Sequence, residues 1–426
     1  MKRKILIITN LEHSSPRIPG LVKYLDKTKW EPIILCPPLP KKFGNSFGPN
    51  KELLNSDVRI IYAGKRISPR IEKDTVIGKT RDLISKNKFF FNIFRYLYTQ
   101  YVAFKYYPDR DYSWKECAIK MADKIIKKDK IDLIFSSSSP VTMHIIASKL
   151  KQKYNIPWVA DFRDPWTQNH SYSFNFLRKF FEKRLEKKTM VFTDQIIVTA
   201  HLVEKILGNE YSKPVETVTN GYDPEYYNIS GKLNNDCLTI RYLGKIYPKN
   251  QKTLIFLKSL KSLINDNIID KNKIKVEFYG PVLEWLNVEI SDLELRDVVK
   301  QKGIVVREES YKLQKKSDIL LMFNWETNKG VPPYPTKMFE YFGARKKIIA
   351  TGGSINDPIK NILNKTGAGE YSVDICQTKI NIRKYYDEFI LNNEIEYKGN
   401  NNEIERYSYI NTTKQFEKAF EDNLKK

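Results

Sequence analysis

Short apolar runs alternate with helical patterns along most of this 426-residue chain. Each buried strand of a parallel sheet appears in a sequence as such a run, and a helix usually connects it to the next parallel strand. The alternation therefore predicts an α/β fold of doubly wound parallel sheets, in which ligands bind beyond the carboxyl ends of the strands. In the N-terminal half the predicted strands are residues 4–9, 32–36, 58–63, 131–136, 158–162 and 195–199.

A second alternating series follows the polar segment 228–236, which we interpret as a linker between domains. A chain of 426 residues is too long for one ordinary core, so we predict two Rossmann-like domains that face one another across a cleft. We place them at residues 1–225 and 236–395, followed by a C-terminal helical segment at 396–426. The second series comprises strands at 238–243, 274–279, 304–306, 318–323 and 347–351, and helices at 251–264, at 292–300, near Leu313 and from Thr336 onward.

Composition narrows the partners and the compartment. With 73 Lys and Arg against 50 Asp and Glu, the formal net charge of +23 indicates an anionic partner: a nucleotide, an acidic lipid surface, a polyanionic glycan or nucleic acid. The four cysteines lie far apart without metal-ligand spacing, which predicts neither a zinc site nor a disulfide framework and fits a reduced compartment. The sequence lacks an apolar run as long as a membrane span or a secretory signal requires. We expect a cytoplasmic protein, with a peripheral position on the inner face of the cell membrane left open.

The segment YPTKMFEYFGAR at residues 334–345 is the strongest candidate for a ligand site. It follows the apolar run 318–323 and a loop rich in Pro and Gly, and Thr336 is a suitable N-cap for a helix. Unpaired N–H groups at a helix start bind phosphate, and Lys337 adds a cation there. Glu340 lies on the same face and suits sugar hydroxyls, so the segment predicts a nucleotide-sugar site. The structural alternative is a capped helix with a Lys337–Glu340 salt bridge.

Two further strand ends of the second series carry matching residues. Lys245 and Lys249 follow the strand at 238–243, where a diphosphate can reach them. Gly280 ends the strand at 274–279, and its missing side chain lets a planar base approach the backbone. Each lysine taken alone is more often a solvated surface charge. The coincidence of three strand ends is what favours a donor site.

The motif DFRDPW at residues 161–166 follows a predicted strand of the first series. Asp161 or Asp164 can orient a sugar hydroxyl or act as a base, Arg163 can meet a phosphate, and Trp166 offers a flat face to a sugar ring. In the structural alternative Arg163 pairs with an aspartate. We favour the functional interpretation, because polar groups at this end of parallel strands are where sites occur.

The loop after the first strand supplies two more candidates, His13 and Arg17. It lacks the GxGxxG pattern, so it gives no support to a dinucleotide enzyme.

Aromatic residues are concentrated at residues 89–107, where ten of nineteen positions are Phe or Tyr. Helical spacing and basic neighbours suit an amphipathic helix on an anionic membrane surface, and burial in the core is the alternative. A platform for nucleic-acid bases is disfavoured, because no suitable strand pattern surrounds the segment.

Eight short motifs, taken in order and spacing, resemble GT-B glycosyltransferases of the family 4 type, in particular those of bacterial polysaccharide and lipid-linked glycan synthesis. They are KYL at 23–25 with WEPIIL at 30–35, PD at 108–109, DLIFSSSSP at 132–140, DFRDPW at 161–166, TNGYD at 219–223, YLG at 242–244 and KMFEY at 337–341. The resemblance implies that the C-terminal domain holds the donor, that the last helix returns to the N-terminal domain, and that transfer retains the anomeric configuration.

The resemblance also implies roles for individual residues. Glu340 matches the glutamate that binds the donor ribose, Thr336 and Lys337 lie where the helix start meets the diphosphate, and Lys245 matches a basic position. Arg163 and Asp164 fall where many members have His-Asp beside the reacting sugar. Two departures concern the donor sugar: Pro332 replaces the first glutamate of the usual pair, and Ser14-Ser15 replaces a Gly-Gly pair.

These observations predict an enzyme that transfers a sugar from a nucleoside diphosphate sugar to a glycan or lipid-linked glycan, without a metal or other cofactor and without nucleic acid as a partner. The alternatives are a GT-B enzyme that does not transfer, such as a nucleotide-sugar epimerase, and a basic protein that binds nucleic acid or membranes. The predicted catalytic residues are Arg163, Asp164 and Lys245; those for the donor are Lys245, Lys249, Gly280, Thr336, Lys337 and Glu340; those on the acceptor side are His13, Arg17, Asp161 and Trp166.

Overall fold

The chain forms two compact units. A computed structural model describes residues 2–12, 15–39, 52–64, 93, 97–98, 100–101, 104–169, 172, 174–228, 236–248, 251–325 and 334–425. One unit comprises Met1–Val218 with Gln415–Lys426, and the other comprises Thr219–Lys414. Residues 219–225 and 396–414 therefore belong to the second unit, which differs from the boundaries we placed at 225 and 396. Most of the predicted linker, 228–236, lies outside the described residues.

The first unit is built on a parallel sheet of seven strands. They are β1 (Arg3–Ile8), β2 (Trp30–Cys36), β3 (Arg59–Tyr62), β4 (Leu133–Ser138), β5 (Trp158–Phe162), β6 (Gln195–Val198) and β7 (Val215–Thr217). Their order is β3-β2-β1-β4-β5-β6-β7, so the direction of winding reverses between β1 and β4. Among the described residues, its helices include α1 (Arg17–Tyr24), α2 (Lys115–Asp129), α3 (Thr142–Tyr154), α4 (Phe176–Met190) and α5 (His201–Glu210). A doubly wound sheet was predicted here, and the fold class is confirmed.

The second unit repeats this architecture with six parallel strands. They are β8 (Leu238–Leu243), β9 (Ile274–Tyr279), β10 (Val299–Gly303), β11 (Ile319–Phe323), β12 (Lys347–Thr351) and β13 (Gly369–Ser372), in the order β10-β9-β8-β11-β12-β13. Its helices are α6 (Thr253–Asn265), α7 (Glu284–Asp292), α8 (Arg307–Lys315), α9 (Thr336–Ala344), α10 (Pro358–Thr366), α11 (Ile375–Asn392) and α12 (Asn401–Glu405). Winding reverses between β8 and β11, and ligands of open α/β sheets bind at such a switch point.

The last helix, α13 (Tyr409–Leu424), places Phe416 and Phe420 in the core of the first unit. Both rings meet Phe135 of β4 edge to face, with centroids 5.6 and 5.3 Å apart, and Phe420 also packs on Trp30 of β2. Full burial of one such side chain is worth about 1.5–3 kcal/mol, so these contacts fix the end of the chain to the N-terminal sheet.

The prediction for residues 292–306 was wrong. The predicted helix at 292–300 is absent: α7 ends at Asp292, Glu294 has a left-handed φ of 51°, and β10 occupies Val299–Gly303 rather than 304–306. β10 is an edge strand whose alternate residues are exposed, so it lacks the apolar run of a central strand. The other edge strand, β13, has one buried residue. It also lacks an apolar run, which is why the sequence analysis did not predict it.

Among the described residues, no helix combines the length and the apolar character that a bilayer span requires.

Candidate functional site

A crevice opens in the second sheet where β8 and β11 separate. The two strands pair only at Ile240–Ile319 and Arg241–Leu320. Beyond these pairs, the hydroxyl of Tyr341 on α9 accepts a hydrogen bond from the Leu243 N–H (3.1 Å) and donates one to the Leu321 carbonyl (3.3 Å). Helix α9 is thereby anchored to both strands, with its first turn at the carboxyl ends of the sheet.

Glycines follow or end three neighbouring strands along this edge. The Gly244 N–H donates to the Tyr279 carbonyl (2.8 Å), and the Gly280 N–H donates to the Gly303 carbonyl (2.9 Å). A Cβ atom at Gly280 would lie 2.3 Å from the Gly244 carbonyl oxygen, and one at Gly244 would lie 3.2 Å from Nζ of Lys337. The backbone at Gly280 therefore has no room for a side chain.

We expect Gly280→Ala to destabilise the second unit. The new Cβ would collide with the backbone of Gly244, and overpacking of this kind costs about 1–3 kcal/mol. A fall of several degrees in Tm should be measurable by differential scanning fluorimetry. Gly208→Ala in α5 is the matched control, because a Cβ there meets nothing within 4 Å and a helical alanine is favoured over glycine. A Gly280→Ala protein at least as stable as wild type would contradict the packing described here.

Lys337 places a cation beside this glycine edge. Its Nζ lies 3.7 Å from the centroid of the Tyr242 ring and donates to the Tyr242 hydroxyl, which in turn donates to the Lys245 carbonyl (2.9 Å). Burial lowers the pKa of Lys337 to about 7, and the negative charge of Glu340 acts in the opposite direction. An anionic ligand would favour the ammonium form, so the pocket is suited to a negative group.

Helix α9 begins one residue earlier than the predicted N-cap implies. Thr336 was expected to be the N-cap, but Pro335 is the capping residue and Thr336 is the first residue of the helix. Pro335 has extended geometry, and its carbonyl accepts the first bond of the turn from the Met338 N–H (3.0 Å). No side chain among the described residues caps this helix start, so its amide groups remain suited to an anion.

Glu340 pairs with Arg307 of α8, and Lys337 lies on Tyr242 instead of forming the salt bridge weighed above. The Arg307 Nη2 to Glu340 Oε1 distance is 2.8 Å, and both side chains are about one-fifth exposed. Arg307 Nε donates to the Tyr311 hydroxyl (2.5 Å). The sequence analysis did not identify Arg307, because Arg307 and Glu340 are 33 positions apart and no short-range spacing links them.

The loop after β8 carries Lys245, which is exposed, with Nζ 5.0 Å from the Tyr247 ring centroid. Tyr247 itself packs on Trp325, which follows β11, with ring centroids 5.1 Å apart. This aromatic pair at two strand ends was also missed. Lys249 and His13, two predicted site residues, lie outside the described residues.

In the first unit, Arg17 and Asp161 form a buried ion pair. Arg17 Nη2 lies 2.7 Å from Asp161 Oδ1, and the Ser137 hydroxyl donates to Asp161 Oδ2 (2.7 Å). The two side chains are 1% and 0% exposed. Direct contact with an acceptor, as predicted for both, requires exposure that they lack. The pair instead joins the start of α1 to the end of β5.

Arg163 bonds to the backbone rather than to an aspartate. Its Nε donates to the Ser138 carbonyl (2.6 Å) and its Nη2 donates to the Ser139 carbonyl. Asp164 follows at the end of β5 and is partly exposed. The Arg163 guanidinium therefore fixes the backbone at the end of β4 relative to Asp164, the next residue along the chain.

Trp166 lines a cavity of about 190 Å³. Its ring is 4% exposed, and its indole N–H donates to Glu182 Oε2 (3.2 Å). Asp109, Tyr172 and Phe174 also border the cavity, so carboxylate and aromatic surfaces meet there. Such a lining suits a sugar ring, although Trp166 offers less free surface than the sequence implied.

Three consecutive residues of this loop bond to three carboxylates that sequence reasoning missed. Trp166 donates to Glu182, the Thr167 hydroxyl donates to Glu186 Oε2 (2.5 Å), and Gln168 donates to Glu210. Burial raises the pKa of Glu186 to about 7. The partners lie 16 to 42 positions away, where no sequence motif joins them. Together these bonds fix the loop that carries Asp164.

Residues 20–226 match the family model described as Glycosyltransferase Family 4. This match, which lies largely in the N-terminal half of the chain, supports a glycosyltransferase similar to family 4. The matched range contains Arg163, Asp164 and Trp166, whereas the candidates of the second unit lie beyond it. No curated protein sequence matches the chain.

Solved structures of GT-B glycosyltransferases share the fold over the whole chain. A glycosyltransferase from Rickettsia africae is 14% identical with a TM-score of 0.62, covering 100% of this chain and 99% of its own. HepE of Anabaena, solved with UDP, is 11% identical with a TM-score of 0.63, covering 99% and 100%. The lipopolysaccharide outer core galactosyltransferase WaaB is 11% identical with a TM-score of 0.58, covering 98% and 99%. At these identities the likeness establishes the fold alone.

Among the described residues, no group of three or more His, Cys, Asp or Glu side chains is arranged to hold a metal ion.

Proposed function

We propose that this enzyme transfers a sugar from a nucleoside diphosphate sugar to a glycan or lipid-linked glycan acceptor, with retention of anomeric configuration. The observation that carries the proposal is the position of Lys337, held on Tyr242 beside the glycine edge at the β8–β11 switch point. The UDP in the HepE structure and the galactosyl transfer named for WaaB support the same substrate class.

In the proposed sugar transfer, the protein contributes mainly by stabilising the leaving group rather than by covalent catalysis. As the bond between the sugar and the diphosphate breaks, negative charge grows on the diphosphate oxygens. Lys337 and the amide groups at the start of α9 stabilise that charge in a largely desolvated crevice, where electrostatic interactions are strong. Lys245 adds a second cation from the loop after β8. No metal ion is part of the proposal.

Glu340 is assigned to the ribose hydroxyls of the donor. Arg307 holds Oε1 of Glu340, which orients the carboxylate and leaves Oε2 as the oxygen that we assign to the ribose. Gly280 and the neighbouring backbone are assigned to the base. Arg163 and Asp164 remain the residues proposed beside the reacting sugar, in the loop that the three carboxylates fix. Trp166 and the cavity that it lines are proposed for the acceptor.

A thermal-shift panel of UDP-, GDP-, ADP- and dTDP-sugars tests the proposal. A ligand that binds the folded protein raises Tm, and only the correct nucleotide does so at low concentration. We expect one base to stand out and the shift to disappear in Lys337→Met. Turnover of the donor without an acceptor would point to an epimerase, and the absence of any nucleotide-sugar shift would reject the donor site.

Donor affinity should fall as pH rises above about 7. In the free protein Lys337 loses its proton through a pKa of about 7, and a bound diphosphate raises that pKa because it stabilises the ammonium. Binding above that pH therefore takes up a proton, and Kd should increase by up to about tenfold per pH unit until the pKa of the complex is reached. Titration calorimetry between pH 6 and 9, in buffers of different ionisation enthalpy, measures this uptake. Equal slopes in wild type and Lys337→Met would exclude Lys337 as the titrating group.

A further inference from the structure

The first two turns of α4 expose four large apolar side chains. Phe176 is 85% exposed, Leu177 46%, Phe180 61% and Phe181 47%. They lie at i, i+1, i+4 and i+5, which places them together on one side of the helix. Single exposed apolar residues are common on soluble proteins, but a contiguous group marks an interaction surface.

The next two turns of the same side are basic. Helical spacing continues one row from Phe176 and Phe180 to Lys183 and Lys187, and a parallel row from Leu177 and Phe181 to Arg184 and Lys188. All eight side chains are exposed, and we refer to them as the outer face of α4. Lys183 lies 3.6 Å from a carboxylate oxygen of Glu210, so part of its charge is balanced.

The acidic residues of α4 face inward. Glu182 is 3% exposed and pairs with Arg178, and Glu186 is 0% exposed and bonds to Thr167. The helix therefore separates its charges: its carboxylates hold the loop that carries Asp164, and its outer face has cations without carboxylates of its own.

Further exposed apolar residues lie in the segment that bonds to the N-cap of α4. Asn175, the N-cap of α4, donates to the Gln100 side chain (2.8 Å). Near Gln100, Leu97 and Tyr101 are each 60% exposed and Phe104 is 44% exposed, at spacings of four and three residues. These residues belong to the aromatic segment 89–107, for which membrane contact was one of two interpretations; most of that segment lies outside the described residues.

We propose that the outer face of α4 docks on an anionic lipid bilayer. Aromatic and aliphatic side chains enter the boundary between headgroups and acyl chains, while lysine and arginine bind anionic headgroups at the same surface. Duplex nucleic acid would engage the basic turns and leave the phenylalanines in water. If a second copy of this chain docked through the same face, the four cations of each face would be buried, and the face supplies no carboxylates to balance them. Docking is independent of the donor site, and it brings the Asp164 loop, through the inner side of α4, to a surface where lipid-linked acceptors lie.

Co-sedimentation of the full chain with vesicles tests the proposal without any nucleotide. We expect binding to vesicles of phosphatidylcholine with phosphatidylglycerol, weaker binding to phosphatidylcholine alone, and release by salt. Phe176→Ser with Phe180→Ser should lower the partition coefficient by tenfold or more, because two large apolar side chains are lost. Lys187→Ser with Lys188→Ser should lower it by roughly tenfold on the anionic vesicles only.

Ile380→Ser with Leu391→Ser on α11 is the matched control, because these side chains are 62% and 82% exposed in the other unit. It should bind vesicles as wild type does. All affected positions are exposed, so the Tm of each variant should stay near the wild-type value. Equal vesicle binding by wild type and both α4 variants would overturn the proposal. Failure of wild type to bind vesicles, with self-association or duplex DNA binding that the α4 variants abolish, would also overturn it and identify the other occupant.

Discussion

Replacing Lys337 with methionine is expected to lower kcat/KM for the nucleotide sugar by about a hundredfold. One preorganised positive charge beside the departing diphosphate stabilises the transition state by about 3 kcal/mol. The same substitution should not lower the thermal stability of the protein. Burial lowers the pKa of Lys337, which means that the folded state disfavours its charged form relative to the unfolded chain. Methionine removes that cost while keeping most of the side-chain volume. We therefore expect a Tm equal to or above that of wild type, together with a large loss of activity.

Steady-state kinetics and thermal unfolding of the same preparations measure both parts of this result. Lys312→Met is the matched control: it makes the same substitution at a lysine that is 52% exposed on α8, and both activity and Tm should stay near wild type. Lys245→Ala should lower kcat more mildly, since that lysine is exposed to solvent. A Lys337→Met enzyme that retains wild-type kcat/KM would show that the diphosphate does not lie at this lysine.

Replacing Asp161 with alanine is expected to cost about 3–5 kcal/mol of folding free energy, because it leaves the guanidinium of Arg17 buried without its counter-ion. The Ser137 hydroxyl would lose its acceptor as well. A loss of this size is a large fraction of the stability of an ordinary domain. Urea unfolding followed by tryptophan fluorescence should show it, and low soluble yield is an expected accompaniment.

Two further variants separate this effect from general damage. Arg17→Met with Asp161→Leu removes both charges and should recover much of the loss, since apolar replacement of a buried pair is often nearly neutral. Asp422→Ala breaks a solvent-exposed pair with Lys425 in the same unit and should cost less than about 1 kcal/mol. An Asp161→Ala protein as stable as Asp422→Ala would refute the buried pair.

The central strands could be predicted from the sequence because each is rich in apolar residues, either consecutive or alternating. Residues 238–243, 274–279 and 347–351 were predicted with the bounds that the structure has. Both edge strands of the second sheet failed this criterion, since an edge strand need not be apolar on every residue. The proposed location of the donor site rests on the same reasoning, because the carboxyl ends of neighbouring parallel strands lie at one edge of the sheet.

Partners within the site could not be predicted, because they depend on contacts between distant elements. Glu340 was expected beside Lys337 from helical spacing, yet it pairs with Arg307 on a different helix. The motif DFRDPW was predicted to be a site from its residue types, but nothing local indicates that Asp161 is buried against Arg17. The carboxylates of α4 were overlooked because no local motif joins them to residues 166 and 167, which lie 16 and 19 positions away.

The central claim is that the diphosphate of the donor binds at the β8–β11 switch point. A crystal structure with the nucleotide sugar selected by the thermal-shift panel tests this most directly. We expect a diphosphate oxygen about 3 Å from Nζ of Lys337, with the α9 amide groups directed at the same group. Nucleotide bound elsewhere on the chain, with only water beside Lys337, would contradict the assignment.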